Sequence, residues 1–289
     1  MKTSVSNSAS RWALVLILFA ISAAPAGATI IQRVDADGSS PGGSAVDSDS
    51  TDSSQAPLRD TLAEVSGPGF RAFSSAGVFG NVGLQAEHST SGTLSTHAFI
   101  ASNGDENVNL STRPQRAVAN FIIDGGEIQF LGTGRIDYAI SIRFITENPG
   151  GTAPDVIDWN TTGRVEGVDF NRPTLTTTGV DIGTSALGDS RFAIPLSFQS
   201  VDLGVVAPFG FIAMSYDVKF GLTAQGVEIA SWSFSDPGNI SGFGDFPTIT
   251  FSDVVASAPE PASLALVLGG LALVRLARWS PKKYRAAGR

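Results

Sequence analysis

Arg135-Ile-Asp-Tyr-Ala-Ile-Ser-Ile-Arg-Phe144 alternates strictly. Ile136, Tyr138, Ile140, Ile142 and Phe144 are apolar, and Arg135, Asp137, Ala139, Ser141 and Arg143 between them are polar or small. Successive strand side chains point to opposite faces, so this pattern is a strand with one buried and one wet face, as in an antiparallel sheet. Ile212, Met214, Tyr216, Val218, Phe220 and Leu222 repeat it, with Ser215, Asp217, Lys219 and Thr223 interleaved. Ala224-Gln225-Gly226 then reads as a turn into 227–234, which predicts a hairpin. Asp124-Gly125-Gly126 predicts another, between 117–123 and 127–131, and further strands are expected at 93–101, 164–170, 191–198 and 247–255. No stretch from 60 to 255 sustains a helical period, which argues against βαβ folds. The expected fold over residues 60–257 is all-β, an antiparallel β-sandwich, jelly-roll-like, whose two inner faces make one core.

Composition agrees. The 289 residues include 32 glycines and 15 prolines, only 16% are charged, and 18 phenylalanines stand against 3 tyrosines, which suits a turn-rich β protein. With no cysteine and two histidines, disulfides and Cys-ligated metal sites are excluded and His clusters have almost nothing to be made from. All 27 acidic residues lie between 29 and 261, while eight of the 19 basic ones sit at the two ends. The body is therefore strongly acidic, which makes nucleic acid an implausible partner. Residues 29–59 include Asp35-Ala-Asp-Gly-Ser-Ser-Pro-Gly-Gly-Ser-Ala-Val-Asp-Ser-Asp-Ser-Thr-Asp-Ser-Ser-Gln-Ala-Pro57, with Val46 as its one bulky apolar residue. Such a stretch is expected to be a disordered acidic linker, and its Asp-rich runs lack the ligand pattern of a calcium loop.

The two ends carry addresses. Lys2 and Arg11 precede the apolar run Trp12–Ile21, and Ser22-Ala-Ala-Pro-Ala-Gly-Ala28 follows. This is the order of a secretory signal peptide over residues 1–28, with Ala26 and Ala28 at the cleavage site and cleavage after Ala28 favoured. At the other end, the apolar run 262–274 is followed by Arg275, Arg278, Trp279, Lys282, Lys283 and Arg285. As a helix its 13 residues reach only about 20 Å, and snorkelling of the two arginines with Trp279 at the interface extends this to about 27 Å, a short single transmembrane span. The basic cluster acts as the stop-transfer signal and places the C-terminus in the cytoplasm, the acidic body outside. Ala258-Pro259-Glu260-Pro261 stands immediately before it, and the two prolines keep that segment extended.

Residues 258–289, with Pro259-Glu260-Pro261, a short hydrophobic helix and a basic end in that order, resemble the PEP-CTERM sorting signal of Gram-negative bacteria. The basic cluster is more dispersed than usual, and Ala258 stands where Val is common. The resemblance implies recognition of Pro259, Glu260 and Pro261 by exosortase, a membrane-embedded cysteine transpeptidase. It further implies export through the Sec translocon, an inner-membrane intermediate, and final placement at the cell surface or in an exopolysaccharide biofilm matrix.

The β-domain offers little for chemistry. A nucleophilic triad has only His88 or His97 to draw on, no Gly-x-Ser-x-Gly elbow is present, and neither phosphate-binding loop nor dinucleotide fingerprint appears. The two histidines are expected to be surface or hydrogen-bonded residues. Asp155, Asp158, Glu166 and Asp169 cluster in sequence around Trp159, a pattern shared by glycosidase carboxylates and by a solvated loop beside a packed Trp. Asn109, Asn160 and Asn239 head three-residue glycosylation patterns expected by chance. Trp159 and Trp232 would stack on sugars if exposed, and Trp232 is expected in the core. No catalytic, cofactor-binding or metal-binding residue is assigned. The expected function is a non-enzymatic surface or matrix protein, with exopolysaccharide as a partner; the alternative is a secreted carbohydrate-active enzyme bearing the same tag.

Overall fold

The computed structural model describes residues 29–57, 59–77, 81–104, 107–150, 153–168, 170, 172–236 and 247–254. Residues 1–28, expected as a signal peptide, and the tail from 258 onward lie outside them, as do the helices expected there. Among the described residues every regular element is a strand. They run β1 (Ile30–Ser40), β2 (Gly43–Asp52), β3 (Thr61–Gly67), β4 (Phe70–Ala76), β5 (Val82–His88), β6 (Gly92–Ser102), β7 (Gln115–Ile123) and β8 (Gly126–Glu147). Then follow β9 (Asp155–Gly167), β10 (Thr174–Gly179), β11 (Ser185–Ala186), β12 (Arg191–Ile194), β13 (Ser197–Val206), β14 (Phe211–Asp236) and β15 (Thr248–Asp253). Every pairing between them is antiparallel.

Twelve strands make one branched sheet, and β13-β7-β15 make a second of three. The branching follows from two long strands. The first part of β14 lies between β6 and the second part of β8; its second part lies between β5 and the first part of β8. The wide layer therefore runs β2-β1-β6-β14-β8-β9-β10, and the narrow layer β3-β4-β5-β14-β8-β12-β11. Trp232 of the narrow-layer part of β14 donates its indole N–H to Thr96 Oγ1 of β6 at 2.9 Å and stacks on Phe220 of the wide-layer part at 5.8 Å. The layers thus face one another across one core, where Trp232, Phe130, Phe144, Phe220 and Ile140 are fully buried. Each such side chain contributes about 1.5–3 kcal/mol of burial. The three-stranded sheet joins this core through Phe121, which meets Trp159 edge-on at 5.1 Å.

The layers are one continuous sheet where two separate sheets are expected, and the reason lies in the bends. In β8, Gly132 and Gly134 hold φ of +155° and +138°, and a Cβ on Gly134 would stand 2.2 Å from the Thr223 carbonyl oxygen. In β14 the predicted turn at Ala224-Gln225-Gly226 does not reverse the chain. The register shifts there, and again between Val227 and Ile229, as bulges that bend a strand without ending it. Asp124-Gly125-Gly126 is likewise no hairpin, because β7 pairs with β13 and β15 and β8 does not join them. The stretch 191–198 divides into β12 and β13 around Pro195, which has no N–H for a ladder. The alternating runs in β8 and β14 are as expected: Ile136, Tyr138, Ile140, Ile142 and Phe144 are all buried, as are Ile212, Met214, Tyr216, Val218, Phe220 and Leu222.

Residues 29–59 are not a disordered linker. β1 is paired on both sides, with β2 and with β6, over ten residues each. Its inward residues are small, Val34, Ala36 and Gly38, with Gln32 donating to the Gly77 carbonyl at 2.5 Å. A Cβ on Gly38 would strike the Phe70 ring at 2.5 Å, so bulk is supplied by the facing layer. Composition counts the bulky apolar residues of the segment itself and is blind to this arrangement.

β2 and β3 are the outer strands of the two layers on one side, and aspartates join them. Asp49 accepts the Leu62 N–H at 3.2 Å and Asp47 accepts the Glu64 N–H at 2.9 Å. Arg59 grips Asp49 with both terminal nitrogens, at 2.5 and 2.6 Å. Carboxylates thus occupy backbone donors of a strand edge that would otherwise offer itself to another chain.

Candidate functional site

Because the inward positions of the wide layer are apolar, its outward positions form a wet face in which polar side chains line up across strands. One row reads Asp35, His97, Lys219, Ala139, Thr162 and Thr178, from β1 to β10. The next reads Asp37, Ser95, Gly221, Asp137, Arg164 and Thr176. Between the rows the face is hollowed into an open trough of about 920 Å³. Its floor is low where Gly221 and Ala139 stand, and charged side chains rise on either side.

The charges are fixed against one another. His97 sets Nδ1 3.0 Å from Asp35 Oδ2, while its buried Nε2 lies 3.3 Å from Asp217 Oδ1 without forming a hydrogen bond. Arg33 holds Asp35 at 3.0 Å, and Lys219 holds Asp217 at 3.0 Å. Burial works against ionisation of Asp35, yet the bonds from Arg33 and His97 outweigh it and keep the carboxyl below its ordinary pKa. For Asp217 burial is again opposed and overcome, by His97 and Lys219. Asp137 takes Arg164 Nε at 2.6 Å and Arg135 Nε at 2.9 Å, and Ser95 donates to Asp37. The trough therefore presents rigid acceptors and donors of both signs, with hydroxyls of Thr162, Thr176 and Thr178 at the β10 side.

The carboxylates singled out around Trp159 are not brought together. Trp159 is buried against Phe121, and Asp158 points outward into a pair with Arg143 at 2.7 Å. Asp158 and Glu166 lie on the same outward face of β9 eight residues apart, about 26 Å at the rise of a strand, far beyond a glycosidase pair. Asp155 begins that strand, and Asp169 lies outside the described residues. Trp232 is in the core as expected, so neither of these tryptophans offers a platform to a sugar. His88 is buried, stacks on Phe70, accepts the Thr90 N–H through Nδ1 at 3.2 Å and meets the Ser39 carbonyl through Nε2 at 3.2 Å. Asn109 is fully buried and donates to the carbonyls of Arg113, Val206 and Ala207, which makes it a loop clamp and not an acceptor for glycan. Asn160 is exposed, and Asn239 lies outside the described residues.

Among the described residues no group of three or more His, Asp or Glu side chains is placed to hold a metal ion, and no helix is long and apolar enough to cross a membrane. The residues expected to carry export and sorting, Ala26, Ala28, Pro259, Glu260, Pro261, Arg275, Arg278, Lys282, Lys283 and Arg285, lie outside the described residues. Sequence reasoning used Asp137, Asp217 and Lys219 only as the wet half of an alternation and passed over Gly221. The available signals were opposite charges at matching outward positions and an isolated glycine inside a strand pattern. No protein-family model, curated protein or solved structure matches the chain.

Proposed function

We propose that this is an exported, non-enzymatic cell-surface or extracellular-matrix protein of a Gram-negative bacterium, sorted through a PEP-CTERM tail. Residues 1–28 send it to the Sec translocon, the short apolar helix of 262–274 holds it in the inner membrane, and exosortase processes it at or near Pro259-Glu260-Pro261. The β-domain, read as a jelly-roll-like sandwich whose layers share β8 and β14, then joins an exopolysaccharide matrix. The observation that carries this reading is the tail itself, in which the proline-flanked glutamate, the apolar run and Arg275, Arg278, Lys282, Lys283 and Arg285 follow in order. Two features of the domain support it. The last strand among the described residues ends at Asp253, five residues ahead of Ala258 in sequence, so no described strand includes the motif. Three carboxylates of the trough are held by cations or a hydroxyl, Asp35 by Arg33 and His97, Asp37 by Ser95 and Asp137 by Arg135 and Arg164, an arrangement suited to a fixed binding surface.

The test compares intact mass and fractionation of the protein from its native host and from an exosortase-null strain. The expected result is loss of the residues beyond the motif, and release from the inner membrane, only where exosortase is present. An identical full-length, membrane-bound protein in both strains would overturn the sorting reading.

A further inference from the structure

Gly221 lies inside β14, paired with Ser95 of β6 and Asp137 of β8 in unbroken register. Its backbone is not in the left-handed region, and a Cβ placed on it would meet nothing within 4 Å. Neither conformation nor packing requires glycine there. A glycine inside a strand gives up side-chain packing and conformational stability, and such positions mark places where another molecule comes close to the backbone. The trough opens directly above it.

We propose that the trough over Gly221 is a binding site for an uncharged saccharide chain lying across the strands of the wide layer. On one side of Gly221 stands Asp37 with Ser95; on the other stands Asp137 with Arg164. Asp137 with Arg164 sets an acceptor beside a donor, while Ser95, whose one O–H is given to Asp37, leaves that pair as acceptors, and sugar hydroxyls, each both donor and acceptor, can engage both. The carboxylates are held in place before any ligand arrives, so little ordering is needed on binding. Both signs line the trough, Lys219 and Arg164 among Asp35, Asp37, Asp137 and Glu166, so the charge disfavours an apolar ligand and the excess of carboxylates a polyanion. The same rows continue to Thr176 and Thr178 at strand spacings of about 4.8 Å, which extends the polar track well beyond one sugar ring.

This inference rests on the matrix-protein reading for the source of its ligand, a neutral stretch of exopolysaccharide. The protein isolated from its native host is titrated calorimetrically with neutral hexasaccharides of glucose, galactose and mannose, and with hexagalacturonate as the anionic control. Gly221→Val and Gly221→Ala are carried in parallel, since both suit a strand and both raise the trough floor. The expected result is binding of at least one neutral hexasaccharide and a loss of ten-fold or more in Gly221→Val, whose melting temperature equals or exceeds the parent's. Should Gly221→Val fail to fold, Gly221→Ala must weaken binding at least three-fold. No binding by any neutral sugar, stronger binding of hexagalacturonate, or unaltered binding in the folded variants would each overturn the proposal. Tail processing is read by mass in the same samples. A processed protein that binds no sugar sinks this inference alone, and a sugar-binding protein with an intact tail sinks the sorting reading alone.

Discussion

The central strands β8 and β14 and the hairpin of β1 and β2 belong to one sheet and are held in it by different means. β8 and β14 bury a bulky apolar side chain at almost every second position, ending in the Phe220–Trp232 stack. β1 buries Val34, Ala36 and a glycine, is hydrogen-bonded along both edges, and is joined by β2, whose aspartates reach the backbone of β3. A strand can therefore be integral without being hydrophobic, provided its neighbours supply the bulk and the ladder supplies the bonds.

The most severe way to break this comparison is to delete residues 29–59 behind the signal segment. A linker is dispensable, whereas removal of β1 would leave β6 paired on its β14 side alone and uncover the core beneath Val34 and Ala36. The expected outcome is loss of the cooperative unfolding transition, followed by circular dichroism during urea titration; an unchanged transition would restore the linker reading. Trp232→Ala tests the apolar half. It removes a fully buried indole and the bond to Thr96, and the expected loss is about 3–5 kcal/mol in urea unfolding.

Asp49→Ala probes the join between β2 and β3 and is expected to cost about 1 kcal/mol. Amide hydrogen exchange at Leu62 should quicken, with exchange in β8 changed only as far as global stability falls. The smallest effect is one of pH. The Asp49 carboxyl is drawn down to about 2, first by the Arg59 hydrogen bonds and against a burial effect that opposes ionisation, helped by the N–H groups of Leu62 and Ser50. A folded-state value below the ordinary carboxylate range means that its contribution is complete above about pH 4 and is lost as pH falls toward 2. Asp49→Asn should flatten that part of the acid-unfolding curve and leave its shape between pH 5 and 8 unaltered.

Legibility followed the same division. The alternation of 136–144 and 212–222 was readable because one buried face imposes period two on bulky residues. The turn expected at 224–226 was misread because glycine and small polar residues serve a bulge as well as a reversal, and only the partner strand decides which. Asp35 and Asp37 were visible as acidic residues of a supposed linker, but their place opposite His97 and Ser95 depends on a pairing across about 60 residues of chain. Gly221 carried its signal openly, a lone glycine in a strand, and the meaning of that signal required knowing that nothing stands above it.

By itself the sequence determined that the body of the chain is all-β and antiparallel, since side-chain periodicity is a local property of a half-buried strand. It also holds the whole case for export and sorting, because signal, motif, apolar run and basic end are recognised as linear segments. Tertiary structure alone decided that an acidic, serine-rich stretch is a central strand and its partner, that two strands bend through both layers, and that charges from distant strands meet around an open glycine. Those outcomes turn on what lies across the ladder and across the core, and neither neighbour is adjacent in sequence.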